Sequence, residues 1–487
     1  MEARLDEALQ LSPRTAAAAP GGRLLRRVAV YAVSRGTTEG MLAARGILLA
    51  ALLGPAAFGS WALLRLAMRY AALGGLGISR GLEFELLHPA AARYDRWRAP
   101  AGVTLGFVLL VAGSLAAAAL AASLVVADDG LRLLLRGFAA AGLTESAFGY
   151  ALVCTRVRKS LRHYAALEAG AAALHLVAAV ALAHRWGLAG AFAGLALANL
   201  AGFAAASPWV ELRPRWRVAT LVRLLRVGLP IALTGIVAML LLTADRWIVA
   251  GWGGATMLGY YAFAGSLATA ATALAIVVRT VVFSDVYAEA QAGAAAAAVR
   301  AHLERAVLPF ARLLPPLLGG LSLLIDPVVA ALMPKYTAAI PAARLFFLGG
   351  AAIGIVNLAS LGAIAAGHQR RLPAYGVLAL AATLALAALA LVCGLGLEGV
   401  AGASVAGFVV FAAAVLRLDV HEAGIPHPGR FVAGALLPVV WCTAAVVLTG
   451  WVPRHDLRST AGALALYALL LLPLAPTWPA EWRRLRR

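Results

Sequence analysis

Long, nearly unbroken apolar stretches, separated by short turns that carry glycine, proline or arginine, set the character of this chain. About 20 predominantly apolar residues, rising ~1.5 Å each, cross the ~30 Å hydrocarbon core of a bilayer as a helix. That length predicts spanning helices over 28–52, 59–79, 101–126, 133–153, 165–184, 187–208 and 227–250. It predicts others over 257–281, 308–331, 340–366, 373–394, 397–417, 431–450 and 460–476. The expectation is an all-α polytopic membrane protein with about fourteen transmembrane helices. The connection from Phe283 to Val307 is alanine-rich and is expected to lie as a surface helix.

Composition agrees with this pattern. Of 487 residues, 62% are hydrophobic and 13% charged, where a soluble domain has roughly 45–50% and 25%. Lipid solvates such a surface and water does not. The formal net charge is nevertheless +20. Basic residues gather in alternate connections: 80–98, 156–162, 213–226, 300–305, 370–371 and the terminal 483–487. Only Arg132, Arg185, Lys335, Arg454 and Arg458 fall on the other side. Cytoplasmic loops carry the excess of Lys and Arg, so both termini are expected in the cytoplasm, with 1–27 as a polar N-terminal tail and 481–487 as a basic one. Charge placed this way calls for membrane lipids as neighbours and for no nucleic acid. Cys154, Cys393 and Cys442 sit in apolar stretches with no metal-ligand spacing.

The chain also repeats itself. Leu24-Leu25-Arg26 recurs as Leu224-Leu225-Arg226, and Phe58-Gly59-Ser60-Trp61 as Leu258-Gly259-Tyr260-Tyr261, both at an offset of 200. Gly187-Leu188-Ala189-Gly190-Ala191 matches Gly396-Leu397-Glu398-Gly399-Val400 at 209. Two lobes of six helices follow, 28–210 and 211–418, with two extra C-terminal helices in 419–480. An even number of spans per repeat makes the copies parallel, a layout in which substrate sits near the midplane at the repeat interface.

Charges inside the apolar stretches are the candidate chemistry. The first helix carries Arg35, Glu39 and Arg45, the second Arg65 and Arg69. Each costs ~2.5–3.5 kcal/mol at the bilayer centre, so together they would cost on the order of 10 kcal/mol facing lipid. That is comparable to the whole stability of an ordinary domain, ~5–15 kcal/mol. Arg35 with Glu39, and Arg65 with Arg69, share helix faces four residues apart. The excess of guanidinium over carboxylate predicts a cationic, water-filled cavity lined by Arg35, Arg45, Arg65 and Arg69. Of three further intramembrane arginines, Arg246 and Arg344 are expected to snorkel from helix ends, whereas Arg279 is placed in the cavity. Glu39 and Asp245 are candidate coupling or gating acids. Asp245 occupies the position of Arg45 in the 200-residue register, which suggests an Arg45–Asp245 latch. His175, Asn199 and Asn357 are expected to hydrogen-bond between helices.

Several chemistries lack their motifs. No glycine-rich loop precedes Lys159-Ser160, so a phosphate-cradling nucleotide site is not expected. There is no His-Glu-x-x-His run, and Asp128-Asp129 lies in a tiny turn suited to capping a helix. No catalytic site, metal or cofactor is expected, and transport would draw on a proton or sodium gradient or on the membrane potential.

Thr243-Ala244-Asp245-Arg246-Trp247 followed by Leu258-Gly259-Tyr260-Tyr261-Ala262-Phe263-Ala264 resembles the seventh-to-eighth helix signature of polysaccharide and O-antigen flippases. Leu53-Gly54-Pro55-Ala56-Ala57-Phe58-Gly59 resembles their first loop. Leu332-Met333-Pro334-Lys335-Tyr336 through Gly367-His368 resembles their ninth-to-tenth helix region, and Gly396 to Gly402 their approach to helix 12. Phe283-Ser284-Asp285 departs from a Phe-Pro pair common in relatives. The resemblance places the chain in the multidrug/oligosaccharidyl-lipid/polysaccharide exporter superfamily, beside lipid II flippases and multidrug antiporters. It implies alternating access and a cationic cavity for a pyrophosphate-bearing, lipid-linked glycan in a bacterial plasma membrane, with polysaccharide assembly enzymes as partners. An antiporter of organic cations, using Glu39 and Asp245, is the alternative. A scaffold in an assembly complex would leave Arg35, Arg65 and Arg69 dispensable.

Overall fold

The computed structural model describes residues 21–87, 97–158, 161–289, 295–450, 457–479 and 481. Among them the regular structure is helical, with no strand. Nine helical runs among the described residues are long and apolar enough to cross a membrane, and the chain is a multi-pass membrane protein. Residues 1–20 and 482–487, which hold most of the expected cytoplasmic tails, lie outside the described residues.

Three of the longest runs are bent at glycines. Gly21–Ala71 breaks at Gly54 (φ 73°) into α1 (21–53) and α2 (55–71). Short α3 (Ile78–Leu87) leads to α4 (Arg98–Val125) and α5 (Asp129–Arg158). Leu161–Ala206 breaks at Trp186–Gly187 into α6 (161–185) and α7 (188–206). Val218–Glu289 breaks at Gly254 (φ 65°) into α8 (218–253) and α9 (255–289). A residue without Cβ takes this left-handed backbone at no steric cost, so the chain reverses without a loop. The remaining helices are α10 (Ala295–His302), α11 (Leu308–Leu323), α12 (Ile325–Leu332), α13 (Ile340–Ala365), α14 (Leu372–Val392), α15 (Gly396–Glu422), α16 (Pro428–Thr449) and α17 (Leu457–Leu470). The end of α13 is closed by Gly367 (φ 78°): His368 N–H donates to Ala363 O at 2.8 Å and Gly367 N–H to Ile364 O at 3.0 Å. This paired capping satisfies carbonyls that neither helix nor lipid could.

Packing divides the chain into two compact units, Met1–Leu53 with Ser60–Ile236, and Gly54–Gly59 with Val237–Arg487. The division falls inside α8, because the first part of that helix packs within unit 1. There a Cβ on Gly81 would strike the Leu224 carbonyl, and one on Gly228 the Gly77 carbonyl. The core of unit 1 gathers Leu82, Leu105, Tyr150, Ala151 and Ala171 from α3 to α6. Unit 2 centres on α13, whose Ala351, Ile355, Leu358 and Ala359 are fully buried. The segment expected on the surface is partly core instead: Val299, Leu303 and Val307 are fully buried. Spaced four apart, they form one helical stripe, which a π turn at Leu303–Val307 carries into α11. Outward positions are apolar too, as Leu124, Val177, Val392 and Leu469 show.

The tightest crossing in unit 2 is reciprocal. A Cβ on Gly59 would overlap the Ala255 carbonyl, and one on Gly259 would overlap the Pro55 carbonyl. These two pairs are the same positions in the 200-residue repeat. Small residues four apart allow such backbone contact, which replaces the hydrophobic effect as glue in lipid. Gly259→Val or Gly59→Val is expected to destabilise the detergent-solubilised protein by at least ~1–3 kcal/mol, the usual cost of overpacking. Gly113→Ala, at a position open on all sides, is expected to leave the thermal midpoint unchanged or slightly raised. Melting followed by circular dichroism checks both.

Candidate functional site

Unit 1 assembles a polar layer from five helices. Thr38 and Arg45, seven residues apart and so two turns along one face of α1, are both buried. Expected to line an open cavity, Arg45 is instead enclosed at 8% exposure. Its guanidinium lies over the Trp61 ring at 5.5 Å, and Trp61 stacks on Phe192 of α7 at 6.1 Å. One turn beyond Trp61 on α2, Arg65 pairs with Glu145 of α5. His175 of α6 meets Asn199 Oδ1 of α7 at 2.8 Å, the interhelical bond expected for both residues.

Glu145 is the charged side chain of this layer that sequence reasoning missed. A carboxylate in the middle of an apolar stretch was a visible signal, and it changes the charge balance around α2. Arg65 carries its own counter-ion, while Arg69 is exposed and makes a contact of its own. Glu39 is half-buried and likewise engaged. The side chains of Arg35 and Arg279 lie outside the described residues.

Unit 2 places the opposite charge at the equivalent positions. Asp245 of α8 is 4% exposed and accepts from the Tyr261 hydroxyl at 2.6 Å and from Ser404 at 2.7 Å. Its other oxygen accepts the Arg246 backbone N–H at 2.9 Å. In the 200-residue register Arg45 corresponds to Asp245 and Trp61 to Tyr261, so a cation on an indole in one unit becomes an anion on a phenol in the other. The suggested latch partners are each engaged inside their own unit. Arg344, expected to snorkel, forms a part-buried ion pair with Asp326 of α12. Asp128 accepts from Leu131 N–H at 2.5 Å and Asp129 pairs with Arg132 at 2.7 Å, the capping role expected for that turn.

The Arg65–Glu145 pair is expected to be a structural coupling. Arg65→Glu and Glu145→Arg each leave two like charges together and should lower the thermal midpoint by several degrees. The double swap should recover most of the loss, as melting in detergent would show. Tyr261→Phe and Ser404→Ala each remove a donor from the buried Asp245 carboxylate and should cost about 1–3 kcal/mol of stability.

Among known proteins, the sequence profile of the family described as polysaccharide biosynthesis protein matches residues 48–341. That is more than half of the chain, and the chain belongs to this family. No curated protein matches it. Among solved structures, the lipid II flippase MurJ in an inward closed conformation is similar with a TM-score of 0.70 at 12% identity, covering 94% of this chain and 100% of that one. An inward-facing multidrug resistance MATE family transporter of the MOP superfamily is similar at 0.61 and 15% identity, covering 85% and 95%. An outward-facing one reaches 0.56 at 16%, covering 82% and 95%. At these identities the likeness shows a shared fold, the MurJ/MATE fold of the MOP superfamily, which agrees with the resemblance read from the residues.

Proposed function

From membership in the polysaccharide biosynthesis family, we propose that this protein translocates a lipid-linked, pyrophosphate-bearing oligosaccharide across the bacterial plasma membrane by alternating access, for the assembly of surface polysaccharide. The observation that carries the reading is the family match over residues 48–341. It is supported by a fold similar to that of a lipid II flippase along nearly the whole chain. In this reading the bends at Gly54, Gly187 and Gly254 divide long helical runs into separate spans, giving fourteen in all. Two lobes of six and two C-terminal helices follow, with both termini in the cytoplasm.

The chemistry of such a cargo matches the excess of arginine. A diphosphate is a strong anion, and guanidinium presents a planar fork of donors suited to phosphate oxygens. Arg35, Arg69 and Arg279 are the proposed headgroup contacts. Arg65 joins them where Glu145 leaves part of its fork available, while Arg45, enclosed against Trp61, supports the first two helices from within. The lipid tail stays in the bilayer, so only the polar headgroup needs a sheltered path. Glu39 and Asp245 are the proposed sites at which a proton or sodium gradient couples to the cycle, and membrane-bound glycan assembly enzymes are the proposed partners.

A MATE-like antiporter of organic cations is the second reading, favoured by the fold shared with multidrug transporters and by the buried Asp245 carboxylate. Proteoliposomes separate the two. With a fluorescent, prenyl-diphosphate-linked oligosaccharide as cargo, protein should accelerate its passage between leaflets. Arg69→Ala and Arg279→Ala should each slow it about tenfold, the effect of roughly 1.4 kcal/mol, and Arg132→Ala should not. Translocation no faster than in protein-free vesicles, together with pH-driven efflux of an organic cation that Asp245→Asn abolishes, would establish the antiporter instead.

A further inference from the structure

Between α6 and α7 the surface of unit 1 is hollowed rather than filled. His163, Ala166, Gly170 and Leu174 are three or four residues apart and so share one face of α6. With Ala201 and Ala205 of α7 they line a groove of about 360 Å³. Small residues keep it open: Ala166, Gly170 and Ala205 are exposed, and a Cβ on Gly170 would meet nothing within 4 Å. Its floor is tight, since a Cβ on Gly202 would come within 2.6 Å of the Phe148 ring of α5. At ~1.5 Å per residue, the run from His163 to Leu174 covers about 16 Å. That is roughly half of the ~30 Å hydrocarbon thickness, the depth of one leaflet.

One end of the groove is cationic. Trp209 closes it there, edge-on to His163 with ring centres 5.9 Å apart, and the Trp209 carbonyl accepts from the Arg158 guanidinium. Arg158 lies over the Trp97 ring at 3.5 Å, and Arg98 lies 5.8 Å from the same ring. Glu211, 6% exposed, is 3.9 Å from both Arg98 and Arg215. One carboxylate thus stands among three guanidinium groups. Glu168 of α6 is off the groove face and accepts from the Tyr164 hydroxyl at 3.3 Å. Tryptophan beside arginine marks the level of lipid headgroups, so the apolar hollow runs inward from an interfacial, positively charged mouth. A second copy of this chain is a poor occupant. A two-fold contact sets each patch on its own counterpart, which would oppose arginine with arginine.

We propose that this groove binds one anionic phospholipid, with an acyl chain lying between α6 and α7 and the phosphate facing Arg98, Arg158 and Arg215. A zwitterionic lipid fills the hollow equally well but brings a cation of its own to the arginines. Selectivity therefore comes from the headgroup, while retention comes from headgroup and chain together. The site uses none of the residues proposed to contact cargo, and it holds whether or not the chain moves a glycolipid.

Native mass spectrometry of the full-length, delipidated protein in detergent tests this, with phosphatidylglycerol and phosphatidylcholine of identical chains as probes. One phosphatidylglycerol per chain should be retained at least fivefold more tightly than phosphatidylcholine, and inorganic phosphate should not displace it. Gly170→Phe, which fills the groove at an open position, should weaken phosphatidylglycerol binding about tenfold. Gly113→Phe, at another open position, should not. Arg98→Gln and Arg215→Gln should each narrow the preference over phosphatidylcholine about fivefold, the usual weight of one basic side chain near an anionic lipid. Where either arginine variant does not fold, Gly170→Phe decides. Equal retention of the two lipids by the native protein, a Gly170→Phe variant that binds phosphatidylglycerol as tightly as the native chain, or a dimer whose formation excludes the lipid would overturn the proposal.

Discussion

The hydrocarbon core of a bilayer offers no hydrogen bonds, so every polar group carried into it must find its partner within the protein. That constraint accounts for several helix ends and buried charges among the described residues. Where α13 stops, Gly367 lets the chain curl back and answer its own carbonyls. Where a carboxylate is buried, at Asp245, two hydroxyls and a backbone N–H converge on it. Asp326 and Arg344 neutralise one another within unit 2, and Glu145 does the same for Arg65 in unit 1. A soluble protein could leave any of these to water.

The same constraint removes the hydrophobic effect as a force between helices, because lipid tails are as apolar as leucine. Contact area between backbones takes its place. Gly59 and Gly259, each set against the other's helix, bring two helix starts together at a distance no side chain would permit. Because both partners occupy equivalent positions in the internal repeat, one contact is used twice, in the manner of a two-fold symmetric interface. Gly77 and Gly81 against Leu224 and Gly228 do similar work in unit 1.

Duplication preserved positions and inverted chemistry. The residues at 45 and 61 and those at 245 and 261 hold the same places in two copies of one helix pair, yet one set is arginine on tryptophan and the other aspartate on tyrosine. At these positions the two units bury charges of opposite sign.

Much of this was legible in the residues themselves. Helix positions, the abrupt reversals at Gly54, Gly187 and Gly254, the repeat and the resemblance to exporters all follow from local composition, because length, apolarity and glycine act over short stretches of chain. The buried face of the segment ending at Val307 was present as a four-residue spacing but was hidden by its alanine content. Which charges meet was not legible. Arg65 and Glu145 are 80 residues apart, Asp245 and Ser404 159, and nothing in either local sequence names the other. Sequence alone determined that this chain lives in a membrane as a bundle of helices with arginines where lipid forbids them, since transfer from water to lipid depends on each residue singly. Only the tertiary structure decided which of those arginines is enclosed, which is paired and which is exposed, because the energy of a buried charge depends on the distance and direction of every neighbour.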